Sequence, residues 1–312
     1  MIKDTFIITK DDYLGDFDLK LTLNSGQTSQ PPWLNYNDSY HEVLSICQID
    51  VLVELKQDNL NDDIYVTTYS NEFVDSNLVK NKIFYIFDLD YDITQIYDYL
   101  ERNEELEDVY KFNKGLRLFK AQYPFESIIS SICSANNSIK RWTKSIMDIK
   151  RDYGRKIIFN DKEYYIFPTE EEFLDIPEER LKEFGVGYRS SYMLNSTRMI
   201  LSEDNFHKSI FEQSYEKSFN KILELEGVGP KVADCILLYA YNKHEAYPVD
   251  VWINRITTYL YFNNQKVSNK KIMNFAQQRF GKYSGYIQLY LFNYARLSGL
   301  MDKLKELKET AD

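Results

Sequence analysis

The sequence predicts an α+β protein: an N-terminal antiparallel β-sheet domain over residues 1–110, packed on an all-helical body over residues 111–312. Three observations carry this. Apolar and polar residues alternate early in the chain, the period of a half-buried strand. From about residue 115 the apolar positions recur every three to four residues, the period of a helix. A chain of 312 residues also exceeds the comfortable size of one hydrophobic core, so more than one unit is expected, with room for two helical subdomains in the body.

The elements follow in order. Phe17 to Leu23 (FDLKLTL) alternates and reads as a strand. Residues 43–55 and 64–70, rich in β-branched side chains, also suit strands. Asn, Asp and Ser clusters at 24–30, 57–63 and 75–78 supply turns. The acidic run 101–108 reads as the solvated face of a helix near the domain boundary. Helices are expected around Ile128, Ile129, Ile132 and Cys133, and around Phe219, Ile222 and Leu223. A further one has the face Val232, Cys235, Ile236, Tyr239 and Ala240, and another the face Tyr286, Ile287, Tyr290, Leu291 and Tyr294. The tail from Asp302 is charged and reads as a frayed helix end.

Composition narrows the class. Hydrophobic content of 44% excludes a disordered chain. The N-terminus has no signal-peptide pattern, and charges interrupt every apolar run, so a soluble cytosolic protein without a membrane partner is expected. Cys47, Cys133 and Cys235 lie far apart with no CxxC pair, which leaves a zinc or iron–sulfur site without support. The net charge of −10 is uneven. Residues 1–110 hold 7 Lys and Arg against 23 Asp and Glu, a net of −16, which leaves +6 for residues 111–312. The last two-thirds can therefore face phosphate.

The most informative segment is Leu225-Glu226-Gly227-Val228-Gly229-Pro230-Lys231. Two glycines bracket one apolar residue between two helical patterns, which permits a tight reversal. Bare amides at the start of the second helix, with its dipole, make an anion site, and Gly227 and Gly229 would let one DNA phosphate approach. The plain alternative is an ordinary αα-turn with a capping glycine. Lys231 falls in the first turn of that helix, where the dipole disfavours a cation, and a neutral amine is what nucleophilic attack requires. Nineteen residues later Asp250, after Tyr247-Pro248-Val249, suits a helix N-cap from which an ionised carboxylate can face a cleft. Alone, such a lysine is usually solvated and such an aspartate only a cap.

Together these residues resemble the helix-hairpin-helix–Gly/Pro–Asp DNA glycosylases, and within them the 8-oxoguanine DNA glycosylase/AP lyase branch, in a prokaryotic variant. The resemblance runs through Ser25-Gly26-Gln27, Gly115 to Leu118 and on to Ile132 to Asn137, and Gly185 to Arg189. It continues through the hairpin with Pro248-Val249-Asp250-Val251, and ends in Gly281 to Gln288 and Phe292. It implies a base-excision repair enzyme acting on duplex DNA that contains an oxidised purine, as a monomer, in the prokaryotic cytosol or nucleoid. No cofactor and no catalytic metal are implied, although the hairpin carbonyls leave room for a structural cation. By the resemblance Lys231 attacks C1′ of a flipped nucleotide and forms a Schiff base, from which β-elimination nicks the strand, while Asp250 stabilises the cationic sugar. Asn136 would plug the vacated stack and Tyr188 wedge beside it. Arg141 and Arg189 would contact the orphaned cytosine. The Gly26 carbonyl would accept from the N7–H that oxidation creates, Gln288 would bond the Watson–Crick edge, and Phe292 and Cys235 would sandwich the base. Taken singly, Asn136 reads as a cap, Tyr188 as surface packing, Gly26 as a hairpin turn and Phe292 as core.

Three positions depart from the family pattern. Ser138 stands where a third Asn is usual and Trp252 where a His is usual, both of which bear on contacts to DNA near the cut. The segment after Gln27 is longer than usual, which bears on the shape of the base pocket. Two other readings compete. A monofunctional alkylpurine DNA glycosylase would keep the aspartate but lack the lysine, and a non-catalytic helix-hairpin-helix DNA-binding protein would have no use for Asp250 and Gln288.

Overall fold

A computed structural model describes residues 1–300 and 302. Strands β1 (Ile2–Ile8), β2 (Leu34–Tyr36), β3 (Ser39–Ile46), β4 (Ile49–Lys56) and β5 (Ile64–Ser70) form one antiparallel sheet in the order β1-β5-β4-β3-β2. Along β5 the expected alternation places Ile64, Val66, Thr68 and Ser70 inside. The run 43–55 is broken into β3 and β4 by Cys47 and Gln48. Both adopt left-handed angles (φ 51° and 68°), the primed turn that matches sheet twist.

Residues 17–23 depart from the expected strand. They start helix α1 (Leu19–Asn24), because the Asp18 carboxylate accepts from the Leu21 amide and caps it. Leu19, Thr22 and Leu23 then share a buried face at helical spacing. The cluster at 75–78 is likewise no turn: Asp75 caps α2 (Ser76–Ile86). Helices α3 (Thr94–Glu101) and α4 (Glu107–Phe112) follow, with the acidic run 101–108 mostly exposed between and on them.

The body contains α5 (Pro124–Ser134), α6 (Ile139–Tyr153), α7 (Glu170–Leu174), α8 (Glu178–Glu183), α9 (Arg189–Leu201) and α10 (Phe206–Glu212). It continues with α11 (Tyr215–Ile222), α12 (Pro230–Tyr241), α13 (Val251–Tyr261), α14 (Asn269–Phe280) and α15 (Ser284–Leu297). It is not wholly helical. A hairpin of β6 (Arg155–Phe159) and β7 (Lys162–Ile166) turns through left-handed Asn160 and Asp161, and its Phe159, Tyr164 and Ile166 pack on Val43 and Leu52 of the large sheet. The fold class is the α+β one expected, with this hairpin added. The expected frayed tail lies outside the described residues except for Asp302, which is exposed. Among the described residues no helix is long and apolar enough to cross a membrane.

Two large cores result. One holds Ile8 to Leu89 with Phe119, between the sheet, α1 and α2. The other holds Ile93 to Ala295, so the buried side chains of α3 and α4 belong to it. Buried polar groups join the two. Lys120 meets Asp88 at 2.7 Å, and Asp88 also accepts from the Tyr286 hydroxyl at 2.6 Å. The fully buried Arg117 donates to the carbonyls of Leu14, Asp16, Asp88 and Tyr91, so its charge is solvated by backbone.

Candidate active site

Helices α11 and α12 meet in the predicted reversal. Gly227 sits at φ +77°, where a side chain is disfavoured, and a Cβ there would come within 2.5 Å of the Tyr192 ring. Val228 turns inward and is buried, and Gly229 faces open space. Pro230 opens α12 and leaves its first amides free of helical partners. Lys231 follows, half-buried, on the wall of a cleft of about 900 Å³.

The opposite parts of that wall come from three other segments. Asp250 caps α13, its Oδ1 accepting from the Ile253 amide at 2.8 Å. Burial pushes its carboxyl above the ordinary carboxylate range, opposed by the Ile253 amide, the charge of Lys231, the Trp252 amide and the charge of Arg296. Among the described residues no ion pair joins Lys231 to Asp250, so both face the cleft and interact through space. The loop carrying Asp250 is held by Asp234 of α12, whose carboxylate accepts from the Tyr247 amide at 3.3 Å and the Tyr215 hydroxyl at 2.7 Å.

Gln288 and Phe292 lie one turn apart on α15 and both line the cleft. Gln288 is buried, its Nε2 donates to the Pro248 carbonyl at 3.1 Å, and its Oε1 has no partner. Cys235, one turn after Lys231, is buried on the same wall. Burial pushes its thiol up, against the charge of Lys231. Gly26 stands at φ +83° in a loop that Gln27 fixes. The Gln27 amide donates to the Arg117 carbonyl and accepts from the Phe119 amide, both close to 2.9 Å.

Of the remaining expected residues Asn136 lines the cleft, whereas Arg141, Tyr188 and Arg189 are not among its lining. Asn136 is exposed at the tip of the α5–α6 loop, in a left-handed conformation (φ 50°), and lines the cleft. The cap of α6 is Ser138 instead. Tyr188 is 57% exposed, with the Arg189 guanidinium over its ring. Arg141 is exposed on the first turn of α6. Arg189, expected at the orphaned cytosine, follows Tyr188 at the start of α9. It is buried and donates to the carbonyls of Ala135, Asn136 and Val186, which shapes the loop that carries Asn136.

Sequence reading missed Arg296, Trp142 and Tyr239, which also line the cleft, and the supporting role of Asp234. A signal for Arg296 existed, since 288, 292 and 296 fall on one helical face. Among the described residues no group of three or more His, Cys, Asp or Glu side chains is placed to hold a metal.

A sheet domain against a helical body, with a glycine hairpin opening a helix beside a lysine–aspartate cleft, defines a helix-hairpin-helix DNA-repair protein. Residues 10–128 match the model of the 8-oxoguanine DNA glycosylase N-terminal domain, and residues 129–282 that of the HhH-GPD superfamily of base excision DNA repair proteins. A probable N-glycosylase/DNA lyase of Methanothermobacter thermautotrophicus is 40% identical, over 94% of this chain and 98% of its own. The N-glycosylase/DNA lyase of Saccharomyces cerevisiae is 28% identical, over 87% of this chain and 81% of its own. The crystal structure of the Clostridium acetobutylicum 8-oxoguanine glycosylase/lyase, solved with DNA containing cytosine opposite 8-oxoguanine, superposes with a TM-score of 0.81 at 28% identity, covering 96% and 99% of the two chains. The 3-methyladenine DNA glycosylase of Archaeoglobus fulgidus, 22% identical, shares the fold with a TM-score of 0.77. The chain belongs to the 8-oxoguanine DNA glycosylase/AP lyase family of the helix-hairpin-helix superfamily.

Proposed function

We propose that this protein removes 8-oxoguanine from duplex DNA and then nicks the strand, with Lys231 as nucleophile and Asp250 as its electrostatic partner. The observation that carries the reading is that both side chains face one cleft without neutralising each other. A lysine bound in an ion pair could not supply a lone pair. Lys231 Nζ attacks C1′, the C1′–N9 bond breaks, and its electrons leave with the base, which takes up a proton. The sugar ring opens to a Schiff base with Lys231. Loss of a C2′ proton then expels the 3′ phosphate oxygen, and hydrolysis of the Schiff base frees the lysine. Asp250, ionised, stabilises positive charge growing on the sugar in a site shielded from water.

Base recognition follows from what the cleft leaves open. The unpartnered Gln288 Oε1 is an acceptor, and the Watson–Crick edge of a guanine offers N1–H and N2–H donors to it. The Gly26 carbonyl suits the N7–H present in the oxidised base and absent in guanine. Phe292 and Cys235 supply the stacking faces. Asn136 fills the vacated stack, Tyr188 wedges the neighbouring pair, and Arg141 meets the orphaned cytosine. In this reading Arg189 acts on the opposite strand through the Asn136 loop it holds. Gly227 and Gly229 admit a phosphate to the start of α12, and the net positive charge of residues 111–312 favours the duplex. One chain carries every group named, so a monomer in the prokaryotic nucleoid suffices. The monofunctional alkylpurine reading leaves Lys231 without a use.

Borohydride trapping on a duplex with 8-oxoguanine opposite cytosine tests this directly. Wild type is expected to give a covalent adduct and Lys231→Gln none. Base release that survives the substitution, without an adduct, would sink the lysine mechanism. No release by either protein would overturn the pocket reading.

A further inference from the structure

We propose that Arg296 is a positioning residue for base recognition, the strut that sets where the Ser25–Gly26 loop presents its carbonyls to the cleft. The inference rests on the reading above, in which Gly26 reads the oxidised base.

Arg296 lies one turn beyond Phe292 on α15 and lines the same cleft. Its Nη2 donates to the Ser25 carbonyl at 2.6 Å and to Asn293 Oδ1 at 3.3 Å. The backbone of Gly26 rests on the guanidinium itself, since a Cβ at that position would come within 2.5 Å of Nη1. The guanidinium also lies over the Phe292 ring, 5.1 Å from its centroid. One side chain thus touches both the loop proposed to read the N7 side of the base and the ring proposed to stack on it.

The arrangement is one that packing alone would not favour. Taking a guanidinium out of water is unfavourable, and burial drives this one down from its ordinary range, opposed by the charge of Asp250. Its Nε is buried without a partner. A rigid, planar donor fork held there at that penalty fixes a carbonyl more sharply than a flexible ammonium would. Its hydrogen bonds reach the Ser25–Gly26 loop and Asn293, while its charge also reaches Asp250; Arg296→Lys keeps that charge and loses the planar fork, which tells the two effects apart.

The two half-reactions separate these roles, because a preformed abasic site has no base to read. Single-turnover rates are measured for release of 8-oxoguanine and for cleavage of a preformed abasic site, in wild type, Arg296→Gln, Arg296→Met and Arg296→Lys. The ratio of the first rate to the second is expected to fall in Arg296→Gln and Arg296→Met by about tenfold to a hundredfold, the range that a displacement of about 1 Å produces in a positioned group. Arg296→Lys, which keeps a donor within reach of the loop, is expected between these and wild type. Arg296→Met keeps the apolar stem and relieves the buried charge, so it reports even where the Gln variant fails to fold. A ratio unchanged in either folded variant overturns the proposal, whatever the absolute rates. Wild type that cleaves the abasic site but releases no 8-oxoguanine would instead overturn the proposed function.

Discussion

Asp234 keeps the helix of Lys231 and the loop of Asp250 in register, and replacing it gives two signatures that can be read separately. Its buried carboxylate is the only acceptor found for the Tyr247 amide and the Tyr215 hydroxyl among the described residues, and Tyr215 in turn accepts from Gln277 at 3.0 Å. Asp234→Ala strands two buried donors. At about 1–3 kcal/mol for each unpaired group, the loss is roughly 2–6 kcal/mol. With an unfolding entropy of about 2.1 cal/mol/K per residue, that lowers the Tm by roughly 3–9 °C in a chain of this length. The second signature is a pH dependence. Burial pushes the Asp234 carboxyl up to about 7 from 3.8, against the pull of both hydrogen bonds. The folded state therefore holds this proton more tightly than the unfolded one. The group's contribution is complete below the unfolded value, declines as pH rises from about 4 to 7, and is constant beyond. At about 1.4 kcal/mol per unit the full swing is on the order of 4 kcal/mol. Asp234→Asn does not titrate, so the Tm of wild type relative to Asp234→Asn should fall steadily between pH 5 and 7. Thermal melts of the three proteins across that range, with abasic-site cleavage as the activity readout, decide it. An Asp234→Ala protein that melts with wild type would refute the account of the register. So would a pH-independent gap between wild type and Asp234→Asn refute the account of the buried charge.

Two further outcomes follow from the site. Arg189→Ala removes a buried cation from three loop carbonyls and should lower the Tm by several degrees, at about 2–4 kcal/mol, whereas exposed Arg141→Ala should leave the Tm alone and weaken the preference for cytosine opposite the lesion by about tenfold. A melt of both variants and excision opposite cytosine and thymine check the pair; equal Tm losses would contradict the placement. The raised Asp250 carboxyl must be ionised to act, so excision should fall with acid at a midpoint above 3.8, and Asp250→Asn should lose about a hundredfold in rate along with that acid limb. A wild-type rate that holds level down to about pH 4 would show that another group carries the role.

The parts of the molecule legible in the sequence were those fixed locally. The hairpin of Gly227 and Gly229 needs its glycine at φ +77°, and the helices after it bury faces with unbroken periodicity. Misreadings arose where a single side chain outweighed the pattern. Asp18 caps α1 and converts an alternating segment to a helix, and Asp75 caps α2 where a turn was expected. Cys47 and Gln48 adopt left-handed angles without the usual Gly or Asn, so nothing local announced that turn. In the site, Lys231, Asp250, Gln288 and Phe292 were legible through the family resemblance, and they line one cleft. Arg296 and Asp234 were passed over because long-range partners define them. Nothing in the sequence tells that an arginine near the chain's end will bond the carbonyl of Ser25.

The clamp formed by Gln27 sets a length inside the enzyme. Residues 25–30 follow the first helix of the sheet domain, yet their side chains grip the segment 117–122: Gln27 binds Arg117 and Phe119, and Gln30 accepts from the Gln122 amide. That segment is joined by Ala121 to the Tyr239 carbonyl of α12, the helix that begins at Lys231. The route from the Gly26 carbonyl to the lysine passes through no strand of the sheet. The spacing between the Gly26 carbonyl and Lys231 is thus held by α12 and the segment 117–122, which Gln122 anchors in turn to Val43 and Ser45 of β3.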